Sequence, residues 1–308
     1  MDGLLRPFLL AGNPISRVLL AAYRATLPAK VYGPRLMIVL KWLVTSKEVT
    51  NFTYDLTKRN LTYLAEAISV VTSAPVAQVE AFLSEPGNDT DLIQHIKSRS
   101  GETRRRSISD ETPRFGRRLG WYAIVRLMKP RIVIETGVDK GLGSVLLCHG
   151  LLKNRSEGFE GLYFGTDINP EAGFLLSGKW AEVGKILYGD SIESLRTLVD
   201  PVDLFINDSE HSAEYELAEY REIEAKLSPV GIVLGDNSCS TDSLAVFARE
   251  TGRRFLYFAE QPLDHWYPGS GIGLCFPNER QDRRYLDSTH SAATLAAGRA
   301  NETLVRGT

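Results

Sequence analysis

Short apolar runs, each closed by a polar residue, recur through the second half of the chain. Residues 132–135, 161–167, 185–191, 202–208 and 231–237 are rich in Ile, Val, Leu and Phe and read as five buried strands. The stretch 144–152 between the first two reads as a helix, and a charged helix over 215–227 follows the fourth. Strands alternating with helices predict a parallel sheet covered by helices. Two more runs, 253–259 and 271–276, are joined by a connection rich in Pro and Gly and predict an antiparallel finish. Upstream the period changes. Leu61, Leu64, Ala65, Ile68 and Val71 recur at helical spacing, so 60–71 predicts a helix that Thr57 caps. Further helices are expected over 76–83 and over 119–128, the latter stopping before Pro130. At the N-terminus, 17–24 and 36–44 predict two helices, with breaks at Pro14, Pro28 and Pro34. Residues 287–298 form a last helical candidate.

Composition narrows the classes. The 308 residues suffice for one large α/β domain plus an accessory segment. A formal net charge of −2 implies no polyanionic partner, so no nucleic acid is expected. Residues 97–118 hold a basic run, including Arg104–Arg106, Arg114, Arg117 and Arg118, but no interleaved aromatic residues. This segment reads as a solvated connection, with an anionic substrate or a loop ordering over a site as alternatives. Cys148, Cys239 and Cys275 are odd in number and far apart, form no zinc spacing and point to a reducing compartment. The apolar run 4–10 contains Arg6 and Pro7 and is no convincing signal peptide; the run 36–44 is interrupted by Lys41 and too short to span a bilayer. A cytoplasmic protein without a transmembrane segment is expected. For the N-terminal helices, packing against the main domain or a second subunit, as in a homodimer, is favoured over a peripheral membrane contact.

Candidate chemistry concentrates where the strands stop. The first strand runs into E-T-G-V-D-K-G-L-G (135–143) and then a helix. A dinucleotide fingerprint has G-x-G-x-x-G with an acid about 20 residues later. Here the acid precedes the first glycine. The pattern resembles motif I of class I S-adenosylmethionine methyltransferases, E/D-x-G-x-x-x-G, and the approach through helix, Lys129-Pro130 and strand strengthens the likeness. A tight turn with no ligand is the plain alternative. The resemblance covers 115–277 and implies an α/β, Rossmann-like seven-stranded mostly parallel sheet with an antiparallel last strand. The implied organisation is an N-terminal helical accessory or lid region with a basic linker (1–114), the methyltransferase core (115–277) and a C-terminal tail (278–308).

It also implies site roles. Glu135 would face the amino-acid moiety of S-adenosylmethionine, and Thr136, Gly137, Gly141, Gly143 and Ser144 would bind the cofactor with it. Asp167, 32 residues after Glu135 (167 − 135), would take the ribose hydroxyls, and Asp190 and Ser191 would face the adenine. Asp167 and Asp190 serve equally as helix caps. Asp208, Asp236 and Asn237 form a second group whose oxygens suit Mg²⁺ or another hard divalent cation. Their 28-residue spacing (236 − 208) and the Asp-Asn pair resemble the metal site of catechol-type O-methyltransferases. Asp-x-x-His at 208–211 resembles macrolide-sugar O-methyltransferases, which implies His211 as base and points from catechols toward a sugar, glycoside or similar polyol acceptor. A helix-terminal hydrogen bond is the plain reading of His211. His265 is the runner-up base; His95, His149 and His290 read as structural or solvated. The expectation is a metal-dependent O-methyltransferase in which Asp208 and His211 carry the chemistry. Transfer to another acceptor type, nitrogen or a phenol, and a non-catalytic S-adenosylmethionine-binding interaction protein remain alternatives.

Overall fold

A computed structural model describes residues 14–278 apart from 50, 105, 109, 199 and 200. His290 and the helical candidate at 287–298 lie outside the described residues.

Seven strands form one sheet: β1 (Ile132–Thr136), β2 (Leu162–Asp167), β3 (Gly184–Tyr188), β4 (Val202–Asn207), β5 (Leu227–Asp236), β6 (Arg254–Phe258) and β7 (Ile272–Phe276). Their order is β3-β2-β1-β4-β5-β7-β6. The first five are parallel, and β7 runs antiparallel to both β5 and β6. The expected mostly parallel sheet with an antiparallel last strand is what the chain forms.

Side chains alternate across the sheet with the two-residue strand period. Val133, Leu204, Ile206, Ile232 and Leu234 enter one core. Ile134, Phe205 and Val233 enter the other. The first core is covered by α2 (Lys58–Thr72), α3 (Val76–Asn88), α4 (Thr90–Glu102), α5 (Arg118–Met128) and α6 (Leu142–Ser156). The second lies beneath α7 (Ser191–Thr197), α8 (Ala213–Glu224) and α9 (Ser243–Glu250). Helices upstream of the sheet thus share its core: Leu64 and Ile68 of α2 reach Gly120 of α5. Thr57 caps α2, its hydroxyl accepting the Asn60 N–H at 3.3 Å. Cys148 and Cys275 are buried and Cys239 is exposed, all as free thiols.

Two expectations fail upstream. The predicted pair of N-terminal helices is one helix, α1 (Pro14–Thr45), running through Pro28 and Pro34. Each proline removes one backbone donor. Because α1 is exposed over most of its length, the carbonyls of Arg24 and Lys30 that lose a partner turn to water instead of being buried unpaired. Nor does α1 pack along its length on the main domain: Ser16 is its one buried residue. The supposed basic connection is also partly structured. Residues 97–102 complete α4, and Arg117, buried, and Arg118, partly buried, turn to the carboxylates at the sheet edge.

Candidate active site

Parallel strands place their carboxyl ends on one edge, where ligands of open α/β sheets bind. That edge carries a cleft of about 640 Å³. Of the residues singled out above, Gly137, Asp167, Asp190, Ser191, Asp208, His211, Asp236 and Asn237 line it; Glu135, Thr136, Gly141, Gly143 and Ser144 do not.

Glycine geometry shapes one wall. Gly137 has φ +78°, and a Cβ there would run into the Asp208 carbonyl, so β1 and β4 meet only over a glycine. Asp167 stiffens the same turn. One of its oxygens accepts the N–H groups of Val138 (3.1 Å) and Asp139 (2.9 Å), and the other that of Asn169 (2.8 Å). A carboxylate has about four acceptor sites, so these bonds leave capacity for a ligand hydroxyl. Asp190 accepts the Glu193 N–H (3.0 Å), capping α7, and the Tyr215 hydroxyl (3.0 Å). Asp190 therefore caps α7 while it lines the cleft. Ile168, 82% exposed, presents an apolar surface beside them.

Glu135 lies beneath this wall, not in it. It is 1% exposed and accepts hydrogen bonds from Ser144 (3.1 Å) and from the Tyr163 hydroxyl. Burial raises its pKa to about 7 against those bonds and the field of Arg118. A side chain at Gly143 would strike its carboxylate, so the glycine leaves room for the buried acid. Thr136 Oγ1 likewise turns inward, donating to Glu219 at 3.0 Å.

The opposite wall is built at the tips of β4 and β5. Single ligand atoms of Asp208, His211 and Asp236 lie within 4.8 Å of one another. Asn237 adopts φ +54°, a left-handed conformation that Asn tolerates, and its side-chain nitrogen lies 2.6 Å from His211 Nε2. His211 Nδ1 lies 3.3 Å from Glu216, a residue 2% exposed that also accepts a bond from Thr241. A proton on Nδ1 facing Glu216 leaves Nε2 as an acceptor, and its lone pair takes the N–H of the Asn237 amide at the cleft wall. Glu216, Glu219, Tyr220 and Ile223 are the buried residues of α8, so two acids ride on its inward face.

Two arginines complete this wall. Arg117 forms a two-pronged ion pair with both oxygens of Asp236 and reaches Glu260 at 3.5 Å. Arg118 lies 3.5 Å from Asp208 and stacks over Trp121. Burial drives the Asp208 carboxyl well above its usual range, and neighbouring Asp236 adds to this against the two arginines. Asp236 goes the other way: burial raises it, but the Arg117 ion pair outweighs that and holds it down. His265, the alternative base, is spoken for elsewhere, at 3.2 Å from buried Glu48 and accepting the Tyr267 N–H.

Residues 134–238 match a family model described as a methyltransferase domain. This stretch, from β1 to the tip of β5, is where the chain is similar to methyltransferases. No curated protein matches the chain. It is similar to solved structures that include a methyltransferase from Geobacter sulfurreducens (13% identity, 66% of this chain and 98% of that one, TM-score 0.46). Others are the S-adenosylhomocysteine-bound methyltransferase PaMTH1 of Podospora anserina (15%, 66% and 94%, 0.44) and the O-methyltransferase from Bacillus cereus in complex with S-adenosylhomocysteine (13%, 71% and 99%, 0.38).

Reading the sequence alone missed Arg117, Arg118, Tyr215 and Glu216. The arginines sit in a basic run that looks solvated. Glu216 carries a fainter signal: an acid on the same helical face as Tyr220 and Ile223 is an acid on a buried face.

Proposed function

We propose that the protein uses S-adenosylmethionine to methylate a hydroxyl of a sugar, glycoside or similar polyol, with His211 as the base. The observation that carries this reading is the backing of His211 by buried Glu216, which leaves Nε2 at the cleft beside Asp208 and Asn237. The donor's place is the wall made by Gly137, Asp167, Asp190 and Ile168, where carboxylates meet hydroxyls and an apolar side chain meets a flat ring. The acceptor's place is the far end, lined by Asn51, Phe52, Tyr267 and Ser270. Phe52 and Tyr267 rings lie 5.0 Å apart, and such faces beside amide and hydroxyl groups suit a sugar ring.

The donor set also fits a hard divalent cation. Beyond the three converging ligand atoms, Asn237 Oδ1 is buried without a hydrogen-bond partner, an acceptor awaiting a positive group. Asp208, Asp236 and Asn237 would hold the ion. S-adenosylmethionine on the donor wall would supply an electrophilic methyl group, and the cation would make a nearby acceptor hydroxyl a stronger acid. The chain's own part is to orient and deprotonate. Glu216 fixes the imidazole and steadies the imidazolium that forms once Nε2, released by the Asn237 amide, takes the hydroxyl proton. Phe52 and Tyr267 hold the acceptor in line, and positioning of this kind supplies much of an enzyme's rate gain.

One observation favours a second reading. Arg117 already engages both oxygens of Asp236 and Arg118 lies beside Asp208, so guanidiniums stand where a cation would. Methyl transfer assayed after EDTA treatment and Mg²⁺ restoration separates the two. Activity lost and then restored supports the cation; activity unchanged by EDTA leaves His211 with the arginine-held pair. Asp236→Ala is expected to abolish turnover with S-adenosylmethionine affinity nearly intact, which titration calorimetry measures.

A further inference from the structure

The most conspicuous feature outside the cleft is α1. From Gly3 to Lys47 the chain has seven basic residues and no acidic one, although acids outnumber bases overall by 38 to 36. Within α1, Arg17, Arg24 and Arg35 are seven and eleven residues apart, spacings that return to one helical face. Lys30 and Lys41, eleven apart, mark a second stripe. Between the stripes lies an apolar sector of roughly 140°, taking about 3.6 residues per turn. Ile15, Val18, Leu36, Met37, Leu40 and Leu43 fall in it, and all six are exposed.

This sector faces away from the protein. The side of α1 that touches the body carries Ile38, partly buried, and Trp42, whose indole donates to Glu48 at 3.0 Å and packs against Phe52 and Trp266. The helix is therefore fastened at its C-terminal end, and none of the described residues covers its opposite side. No single helix among the described residues is long and apolar enough to cross a membrane. At about 1.5 Å per residue α1 is a rod of roughly 48 Å, long enough to lie along a surface.

We infer that α1 seats the protein on an anionic lipid bilayer, its apolar sector sunk among the acyl chains and its arginines and lysines at the phosphate level. Charge selects this occupant. Basic stripes flanking an apolar sector let the long side chains reach up to headgroups while their stems stay in hydrocarbon. Pairing with a second copy through the same face is disfavoured, because a two-fold axis sets identical basic rims against each other.

Flotation of the full chain with vesicles tests this. The expected result is recovery with vesicles of phosphatidylcholine plus phosphatidylglycerol, weakened by salt, and little recovery with phosphatidylcholine alone. Neutralising Arg17, Arg24 and Arg35 together to Ser is expected to lower partitioning onto anionic vesicles about a hundredfold, at roughly 1 kcal/mol per basic residue. The double variant Leu36→Asp, Leu40→Asp should lose flotation while keeping its melting temperature and S-adenosylmethionine affinity, since neither residue touches the cleft. Failure of the wild-type chain to float with anionic vesicles overturns the inference. So does undiminished flotation of the Leu36→Asp, Leu40→Asp variant. A dimer in sedimentation that this variant dissociates, with no vesicle binding, also overturns it and assigns the face to self-association.

Discussion

Single residues separate the groups that act in the cleft from those that support it. His211→Ala is expected to lower kcat by about 10² to 10⁴, the usual worth of a positioned base, with S-adenosylmethionine affinity unchanged in calorimetry. Glu216→Gln keeps the shape but weakens the hold on Nδ1, and a fall in kcat of about 10- to 100-fold is expected. An equal kcat for wild type and Glu216→Gln would remove the dyad. Glu135 presents the contrasting case of an acid that belongs to the core. Its folded pKa of about 7 stands above the ordinary 4.5, so the folded state binds this proton more tightly than the unfolded chain does. Its contribution to stability is therefore fully present below about pH 4.5 and is lost as pH rises through 7, by roughly 3 kcal/mol across that span. Glu135→Gln, which carries no charge at either end, should flatten that slope in denaturant titrations at pH 5 and pH 8. A slope equal to that of wild type would place the Glu135 proton elsewhere.

At the level of elements, the turn after β1 does most to set the geometry. Gly137→Ala forces a side chain into φ +78° and against the Asp208 carbonyl. It should cost about 2 kcal/mol or more and push the tips of β1 and β4 apart, so that stability and S-adenosylmethionine affinity fall together. Thermal melts and calorimetry on this variant read both; intact affinity would separate the turn from the donor site. This element was legible in the sequence because its signals are local: a buried strand, glycines at fixed offsets, a helix. Helix α1 was legible as apolar and basic but misread at its prolines, because solvent can pair the carbonyls that Pro28 and Pro34 orphan. The C-terminal part of α4 was lost for a related reason: residues 97–102 have the polarity of a loop, and only Ile96 and Ser100 of that end are buried.

The molecule as a whole follows from strand order. Placing β1 and β4 side by side at the centre brings Gly137 and Asp208 together, and β5 beyond adds Asp236 and Asn237. Acids at strand ends could be listed from the sequence, and the sheet gathers eight of the singled-out residues around one cleft. What the sequence did not disclose is pairing across long separations. Arg117 meets Asp236 across 119 residues, and its approach depends on α5 packing on the same core as the sheet. The pairing of Arg117 and Arg118 with Asp236 and Asp208 therefore became visible only with the fold. The most direct test is transfer of labelled methyl from S-adenosylmethionine to a panel of glycosides by the full chain. Label on a sugar oxygen, lowered at least about a hundredfold by His211→Ala, is the predicted result. Label on nitrogen or carbon, or equal transfer by the His211→Ala variant, would contradict it.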